Sequence, residues 1–425
     1  MFSRLSRDSI WLLLSRLGTQ AGLALFTILL ARGLGTAAFG EYAFMASVIF
    51  IGNVVTTFGS DMLLIREIAA TGSLAGLSSA LCIQLVLSAA FIGLVTFFTR
   101  TFPGADPGPS AALRTYSLSM VPLAFYTVFT TALRGRQHMR AYAALSFAAT
   151  VLQLAAAAWF LANSGELTSL AAVLVWAQVA AALLSAGLCA FTIKDFGQLW
   201  QSPFGKFLAL LRACAPIALL GVLGVVYQRL ALLMLPALAG SSATGWYSAA
   251  AKLVEAAKIG HVAVFTALYP AMAQYRSDSQ VGWARGFRTP YLILMTGALL
   301  ASVLLVVLAA ILVPALFGNH YSASVPLVRI MAWSLVPYAL NSFLTLALLA
   351  RGEERSVVVA LAMSIVLLGL LTAWWVPAFG ILGAAYAILF AETAQAVVLM
   401  WLDSRRLGIL GGLLSRQTLT DAARR

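Results

Sequence analysis

Long apolar stretches separated by short polar connections occupy almost the whole chain. Twelve stretches fit the pattern, near residues 8–32, 40–65, 77–99, 113–133, 141–163, 168–192, 213–238, 245–271, 290–316, 326–350, 356–376 and 380–402. A helix rises about 1.5 Å per residue, so about twenty apolar residues cross a hydrocarbon core about 30 Å thick. The alternating ten-residue segments of a membrane β-barrel are absent. The pattern predicts an all-α membrane protein of twelve transmembrane helices.

Composition agrees. The 425 residues are 62% hydrophobic and 10% charged, whereas soluble domains are about 45–50% apolar and about 25% charged. The net charge of +13 would suggest nucleic acid in a soluble protein. Here it reports orientation instead. With both termini inside, 19 of the 27 Lys and Arg fall on the cytoplasmic side. Only Arg32, Arg100, Arg114 and Arg329 fall outside, and Arg16, Arg229, Lys252 and Lys258 lie within spans. This is the positive-inside distribution, and it predicts a multi-pass membrane protein with cytoplasmic ends and no nucleic-acid partner. Arg4 and Arg7 precede the first apolar run, which lacks a small-residue cleavage site and reads as an uncleaved span. Cys82, Cys189 and Cys214 lie in or beside spans without a CxxC spacing. They imply neither a disulfide framework nor a metal site, and no cofactor is expected.

The connections add organisation. The longest outer loop, RTFPGADPGPSAA from Arg100, is rich in Pro and Gly. Residues 197–212 (GQLWQSPFGKFLALLR) mix Trp, Phe, Lys and Arg, as a helix lying on the membrane surface would. Residues 276–289 read similarly. The expected organisation is an N-terminal lobe over 1–196, an interfacial linker over 197–212, a C-terminal lobe over 213–403 and a cytoplasmic tail over 404–425.

Internal repeats support two halves. Gly35-x4-Gly40-x-Tyr42 recurs as Gly240-x4-Gly245-x-Tyr247. Ser119-Met-Val-Pro122-Leu-Ala124 recurs as Ser334-Leu-Val-Pro337-Tyr-Ala339, and Arg134-Gly135 recurs as Arg351-Gly352. Three matches in one order predict duplicated six-helix lobes. Six spans is even, so the lobes keep one orientation, as a parallel pseudo-two-fold repeat with the substrate site between them. Gly35, Gly40, Gly240 and Gly245 read as hinge glycines, permitting positive φ and close helix approach.

The segments GLGTAAFGEYA (33–43), LRGRQHMRAYA (133–143), PALFGNHYSASVPL (314–327) and VPAFGILGAAYA (376–387) resemble the recurring motifs of bacterial polysaccharide-export flippases of the Wzx type. Their superfamily also holds multidrug antiporters and lipid II flippases. The resemblance spans nearly all of 8–403. It implies a two-lobed, twelve-helix protein that moves an undecaprenyl-diphosphate-linked oligosaccharide from the inner to the outer leaflet. It implies membrane lipids as partners, and polysaccharide polymerase and chain-length machinery beside them. Lipid II flippases typically have two further helices, for which this chain has no room.

Such a cargo calls for fixed cations for the diphosphate and hydrogen-bonding groups for sugar. Ionisable residues inside a span are costly and are functional candidates by default. Arg16 is followed by fifteen apolar positions only, so it lies inside the hydrocarbon or at its inner edge, either as a functional cation or snorkelling to the surface. Arg229 lies deep in the seventh span. Lys252, Glu255, Lys258 and His261 follow at steps of three along GSSATGWYSAAAKLVEAAKIGH (240–261), where each i,i+3 pair can touch. Arg16, Arg229, Lys252 and Lys258 form the expected cationic site. Glu255, Glu392, His261 and Asp61 are candidates for proton coupling or charge pairing, Asp61 with the nearby Arg66. Ser47, Phe50 and Asn53 occupy the repeat positions of Lys252, Glu255 and Lys258, so the charge is an asymmetric addition. Gln20, Asn53, Gln84, Gln153, Gln178, Gln228, Asn341 and Gln395 are intramembrane amides that either line a sugar path or knit helices.

Two other classes compete. A multidrug or cation antiporter needs a cavity dominated by acids, and the deep charges here are mostly basic. A membrane polymerase or ligase would be expected to display a large outer loop with catalytic His, Arg or Asp, and the outer loops are short and plain. The expected protein is therefore a transporter rather than an enzyme.

Overall fold

A computed structural model describes residues 2–101, 107–163, 165–193, 197, 207–258, 272 and 280–406, with the side chains of residues 2–17, 107, 280–285 and 406 excepted. Every regular element among them is helical. The α-helices are α1 (Phe2–Thr57), α2 (Ser60–Thr71), α3 (Ala75–Thr101), α4 (Pro107–Ser117), α5 (Met120–Gly135), α6 (Met139–Ala162), α7 (Leu167–Thr192), α8 (Phe207–Ala257), α9 (Gln280–Phe317), α10 (Ser324–Ala332), α11 (Leu335–Ala350), α12 (Glu354–Phe379) and α13 (Ile381–Arg406). Among the described residues nine helices are long and apolar enough to cross a membrane, and α10 with α11, bent by 42°, makes a tenth.

Two of the nine are double. Helix α1 is broken at Gly35 (φ 74°, ψ 178°) and α8 at Gly240 (φ 83°, ψ 174°). This backbone region belongs almost wholly to glycine. Beyond the adjoining residues, no described atom lies within 4 Å of where a Cβ would sit at either position, so backbone conformation and not crowding demands glycine there. Gly40 and Gly245 depart from the sequence expectation. Both lie within the helix after the break, buried and without positive φ. One residue outside helical geometry suffices to redirect the chain at each break.

The serine–proline repeat lies at a second pair of matched breaks. Ser119 sits between α4 and α5, and Ser334 between α10 and α11. Pro122 and Pro337 lack an N–H and crowd the carbonyl four residues back, which interrupts the helix. Each serine hydroxyl donates to the carbonyl three residues behind it, Ser119 to Tyr116 and Ser334 to Met331, both at 2.6 Å. Ser88 on α3 and Ser302 on α9 donate to the carbonyls of Met120 and Ala332 beside the breaks, at 3.4 and 2.8 Å.

The chain forms two compact units, Met1–Val225 and Val226–Arg425. The division falls inside α8 and not in the 197–212 connection, because the start of α8 packs on the first unit. Leu210 and Cys214 join a core with Leu64, Leu77, Leu133 and Cys189. The second unit packs Tyr227 against Leu368, Ala387 and Ala391. There α13 lies hard against α12: a Cβ on Gly383 would stand 2.2 Å from the Trp375 carbonyl oxygen. Residues 280–289 do not form a separate surface element. They continue without interruption into α9, through Pro290. A lipid-embedded helix tolerates the single bond that proline removes.

Large apolar side chains cover the outside. Phe191 is 90% exposed, Trp374 75% and Leu300 73%. Water would penalise such a surface, and lipid does not.

Candidate functional site

Five ionisable groups within the spans of the C-terminal unit, with the residues that link them, lie on four helical stretches. The Gly240 break brings Arg229, before it, against Glu255, after it. Arg229 Nη1 donates to Glu255 Oε1 at 2.9 Å, and Lys252 Nζ donates to Oε2 at 2.8 Å. One carboxylate thus holds two cations. The Arg229 side chain is 13% exposed, against 29% for Lys252 and 36% for Glu255.

Lys258 does not extend this ladder. Its N–H still bonds back to Val254 and Glu255 at the end of α8, and its charge acts on Glu255, but it forms no ion pair with Glu255 among the described residues. The Lys258 ammonium instead lies 3.9 Å above the Tyr338 ring of α11, a cation–π contact. Three residues further on, Asn341 Nδ2 donates to Glu392 Oε2 at 2.8 Å and to the Glu392 carbonyl at 2.9 Å. Glu392 is 2% exposed. The Tyr227 phenol stands beside its carboxyl, and Lys258 acts on it electrostatically. No ion pair holds Glu392 among the described residues. An amide takes the place of the Lys or Arg partner.

Arg229, Lys252, Glu255, Lys258 and Glu392 therefore lie within one unit, linked through Tyr227, Tyr338 and Asn341. Arg16 lies on the α1 backbone, but its side chain is outside the described residues, as is all of His261. Asp61 is elsewhere, in the first turn of α2. It forms no ion pair with Arg66 among the described residues. Five residues on a helix subtend about 140°, which turns the two side chains to different faces. A carboxylate in the first turn complements the positive end of the helix.

The repeat counterpart carries no charge. Ser47 donates to the Ala43 carbonyl at 2.7 Å, and Asn53 accepts from Thr57 at 3.4 Å, both within their own helix. Gln84 knits helices by donating to Ser60 at 3.0 Å. The hinge is anchored by the 314–327 segment: Trp246 Nε1 donates to the His320 carbonyl at 3.1 Å, and Ser324 to the Trp246 carbonyl at 2.8 Å.

Chemically, three cations face two carboxyls on apolar helices. Guanidinium and ammonium groups hold phosphate oxygens by charge-assisted bonds, arginine in a planar fork. Glu255 holds Arg229 and Lys252 together. Among the described residues no group of three His, Cys, Asp or Glu could hold a metal ion. Sequence reasoning missed Tyr227, Tyr338 and the pairing of Asn341 with Glu392. The available signal was the polar pair Tyr338 and Asn341, one helical turn apart in an apolar span.

A family model described as "Polysaccharide biosynthesis protein" matches residues 5–276. No curated protein matches the sequence. Solved structures share the fold. An inward-facing multidrug resistance MATE family transporter of the MOP superfamily is 16% identical, with a TM-score of 0.71 over 93% of this chain and 96% of that one. The lipid II flippase MurJ, in an inward closed conformation, is 13% identical, with a TM-score of 0.71 over 93% and 87%. A MOP superfamily transporter from Pyrococcus furiosus, for which reverse polarity of the binding pocket suggests a different function, is 15% identical, with a TM-score of 0.61 over 95% and 96%.

Proposed function

This chain belongs to the polysaccharide biosynthesis protein family, in the Wzx-type flippase branch of its superfamily, and we propose that its cargo is a polyprenyl-diphosphate-linked oligosaccharide carried from the inner to the outer leaflet. The observation that carries the proposal is the cation excess on the helices of the C-terminal unit: Arg229, Lys252 and Lys258 against Glu255 and Glu392. Arg16 is assigned to the same task from sequence.

The diphosphate displaces Glu255 from Arg229 and Lys252, and Lys258 joins them. The sugars pass through the protein while the polyprenyl tail stays in lipid. Moving the polar head through hydrocarbon unaided is prohibitive. Twelve spans in two six-helix lobes rock about the cargo between cytoplasmic ends in the inner membrane. Counting α1 and α8 as two spans each at Gly35 and Gly240, and α4 with α5 as one, supports that number. The near-identical glycine breaks and the paired serine–proline breaks support the repeat. Polymerase and chain-length proteins would receive the product.

A multidrug or cation antiporter is the second reading, favoured by the buried acid Glu392. The net basic cluster weighs against it, as it does for a cationic drug. The test is complementation of a strain that needs this chain for export. Arg229→Ala and Lys258→Ala abolish surface polysaccharide and leave lipid-linked repeat units on the inner leaflet. Normal export in both variants overturns the site.

A further inference from the structure

The N-terminal unit contains a polar chamber of its own. It has a volume of about 390 Å³ and is walled by Gln20 of α1, Tyr126 of α5, Tyr142, Ser146 and Gln153 of α6, and Gln178 of α7. None of its wall residues is charged. This separates it chemically from the cationic cluster.

The chamber is built by the pattern of α6. Tyr142, Ser146 and Gln153 recur at i, i+4 and i+11, which lines them along one helical face. Gly22 lets α1 lie against that face, since a Cβ there would stand 2.2 Å from Thr150 Cγ2. The Arg134 guanidinium lies over the Tyr142 ring, 5.4 Å from its centroid. The Ser146 hydroxyl stands against the Tyr126 phenol.

The amides distinguish this space from ordinary packing. Gln84 and Asn341 each donate from their amide nitrogen to a neighbouring helix, to Ser60 and to Glu392. Gln20, Gln153 and Gln178 make no side-chain hydrogen bond to any described residue. Each amide offers two donors and an acceptor with two lone pairs, and each phenol a donor and an acceptor. Unpaired polar groups at membrane depth are retained at a cost, so something polar answers them. A wall that is polar but uncharged suits a neutral polar occupant. A pyranose ring presents hydroxyls around its rim and C–H groups on its faces. The amides fit the rim, and the tyrosine rings fit the faces.

We propose that this chamber is a saccharide-binding site, which seats a neutral sugar residue of the cargo apart from the cations that hold the diphosphate. The proposal rests on the flippase function above and assigns its sugar recognition to one lobe.

Two probes separate the claims: undecaprenyl diphosphate, and the free glycan released by mild acid from the lipid-linked pool of a deletion strain. Binding of each to the purified full-length chain in nanodiscs is measured. The wild-type chain binds both. Gln153→Leu with Gln178→Leu weakens the glycan by about tenfold or more, as loss of two hydrogen-bonding groups predicts, and leaves undecaprenyl diphosphate within about twofold. Arg229→Ala does the reverse. If the wild-type chain binds undecaprenyl diphosphate but not the glycan, or if the glutamine variant binds glycan normally, the saccharide site is overturned and the flippase function stands. If it binds neither probe, both fail. The melting temperature of the glutamine variant is expected to hold or rise. A marked fall would show that the amides knit helices, and would also overturn the site.

Discussion

Glu255 holds Arg229 and Lys252 at nearly equal distances, 2.9 and 2.8 Å, yet the two pairs differ in strength. At a charge separation of about 4 Å and an effective dielectric of about 20, one pair is worth about 4 kcal/mol before desolvation and competition. Glu255 is 36% exposed and shares its charge between two partners, which lowers that figure. Interhelical hydrogen bonds in membranes average about 0.6 kcal/mol and reach about 1.7. Arg229 is 13% exposed and joins two stretches of helix on either side of Gly240, so its coupling to Glu255 belongs at the top of that range, about 1–2 kcal/mol. Lys252 is 29% exposed and sits three residues from Glu255 on one helix, where such pairs give about 0.2–0.5 kcal/mol. Two double-mutant cycles, Arg229→Gln with Glu255→Gln and Lys252→Gln with Glu255→Gln, measure both couplings. Unfolding is followed by tryptophan fluorescence in mixed micelles of rising sodium dodecyl sulfate content. The Arg229 cycle shows the larger coupling, and the double variant loses less stability than the single variants sum to. Additivity within about 0.5 kcal/mol in the Arg229 cycle, or a larger coupling in the Lys252 cycle, refutes the reasoning.

Gly383→Ala drives a Cβ to 2.2 Å from a backbone oxygen, whereas the nearest atom to a Cβ at Gly221 is Val54 Cγ1 at 3.6 Å. Gly383→Ala therefore costs about 1–3 kcal/mol in the same unfolding assay and Gly221→Ala almost nothing. Gly35→Ala and Gly240→Ala each lower stability by about 1–3 kcal/mol, through backbone conformation alone, and by similar amounts. Asn341→Leu removes the donor that holds the buried Glu392 and costs about 1–3 kcal/mol, most of which is recovered when Glu392→Leu is added. A double variant as unstable as the sum of the singles contradicts that pairing.

The helices themselves were legible, because hydrocarbon thickness fixes the length of an apolar run. Their breaks were not. The chain turns at Gly35 and Gly240 with one residue outside helical geometry, so no polar loop marks the place. The breaks at Ser119 and Ser334 needed the proline read as an interruption as well as a repeat marker. The Arg229, Lys252 and Glu255 residues were legible as costly charges in apolar spans. Their meeting was only half legible. The Lys252–Glu255 pair follows from helical spacing, but Arg229 meets Glu255 across a break whose angle no local pattern encodes. Tyr338 beneath Lys258 and Asn341 against Glu392 depend on how α8, α11 and α13 pack. The same holds for the three glutamines of the N-terminal chamber, which come from three helices. Sequence marked each as an intramembrane amide and gave no sign that they share one space.

The central claim is translocation of the lipid-linked glycan. The purified chain is reconstituted into vesicles whose two leaflets both contain the extracted polyprenyl-diphosphate oligosaccharide. Proton and sodium gradients are imposed in either direction, and exposure of the glycan is followed with a membrane-impermeant oxidant. The inner-leaflet pool is predicted to reach the oxidant in proportion to the protein present under at least one gradient, and to stay protected with Arg229→Ala. An inner pool that stays protected under every gradient, as in protein-free vesicles, would contradict the claim.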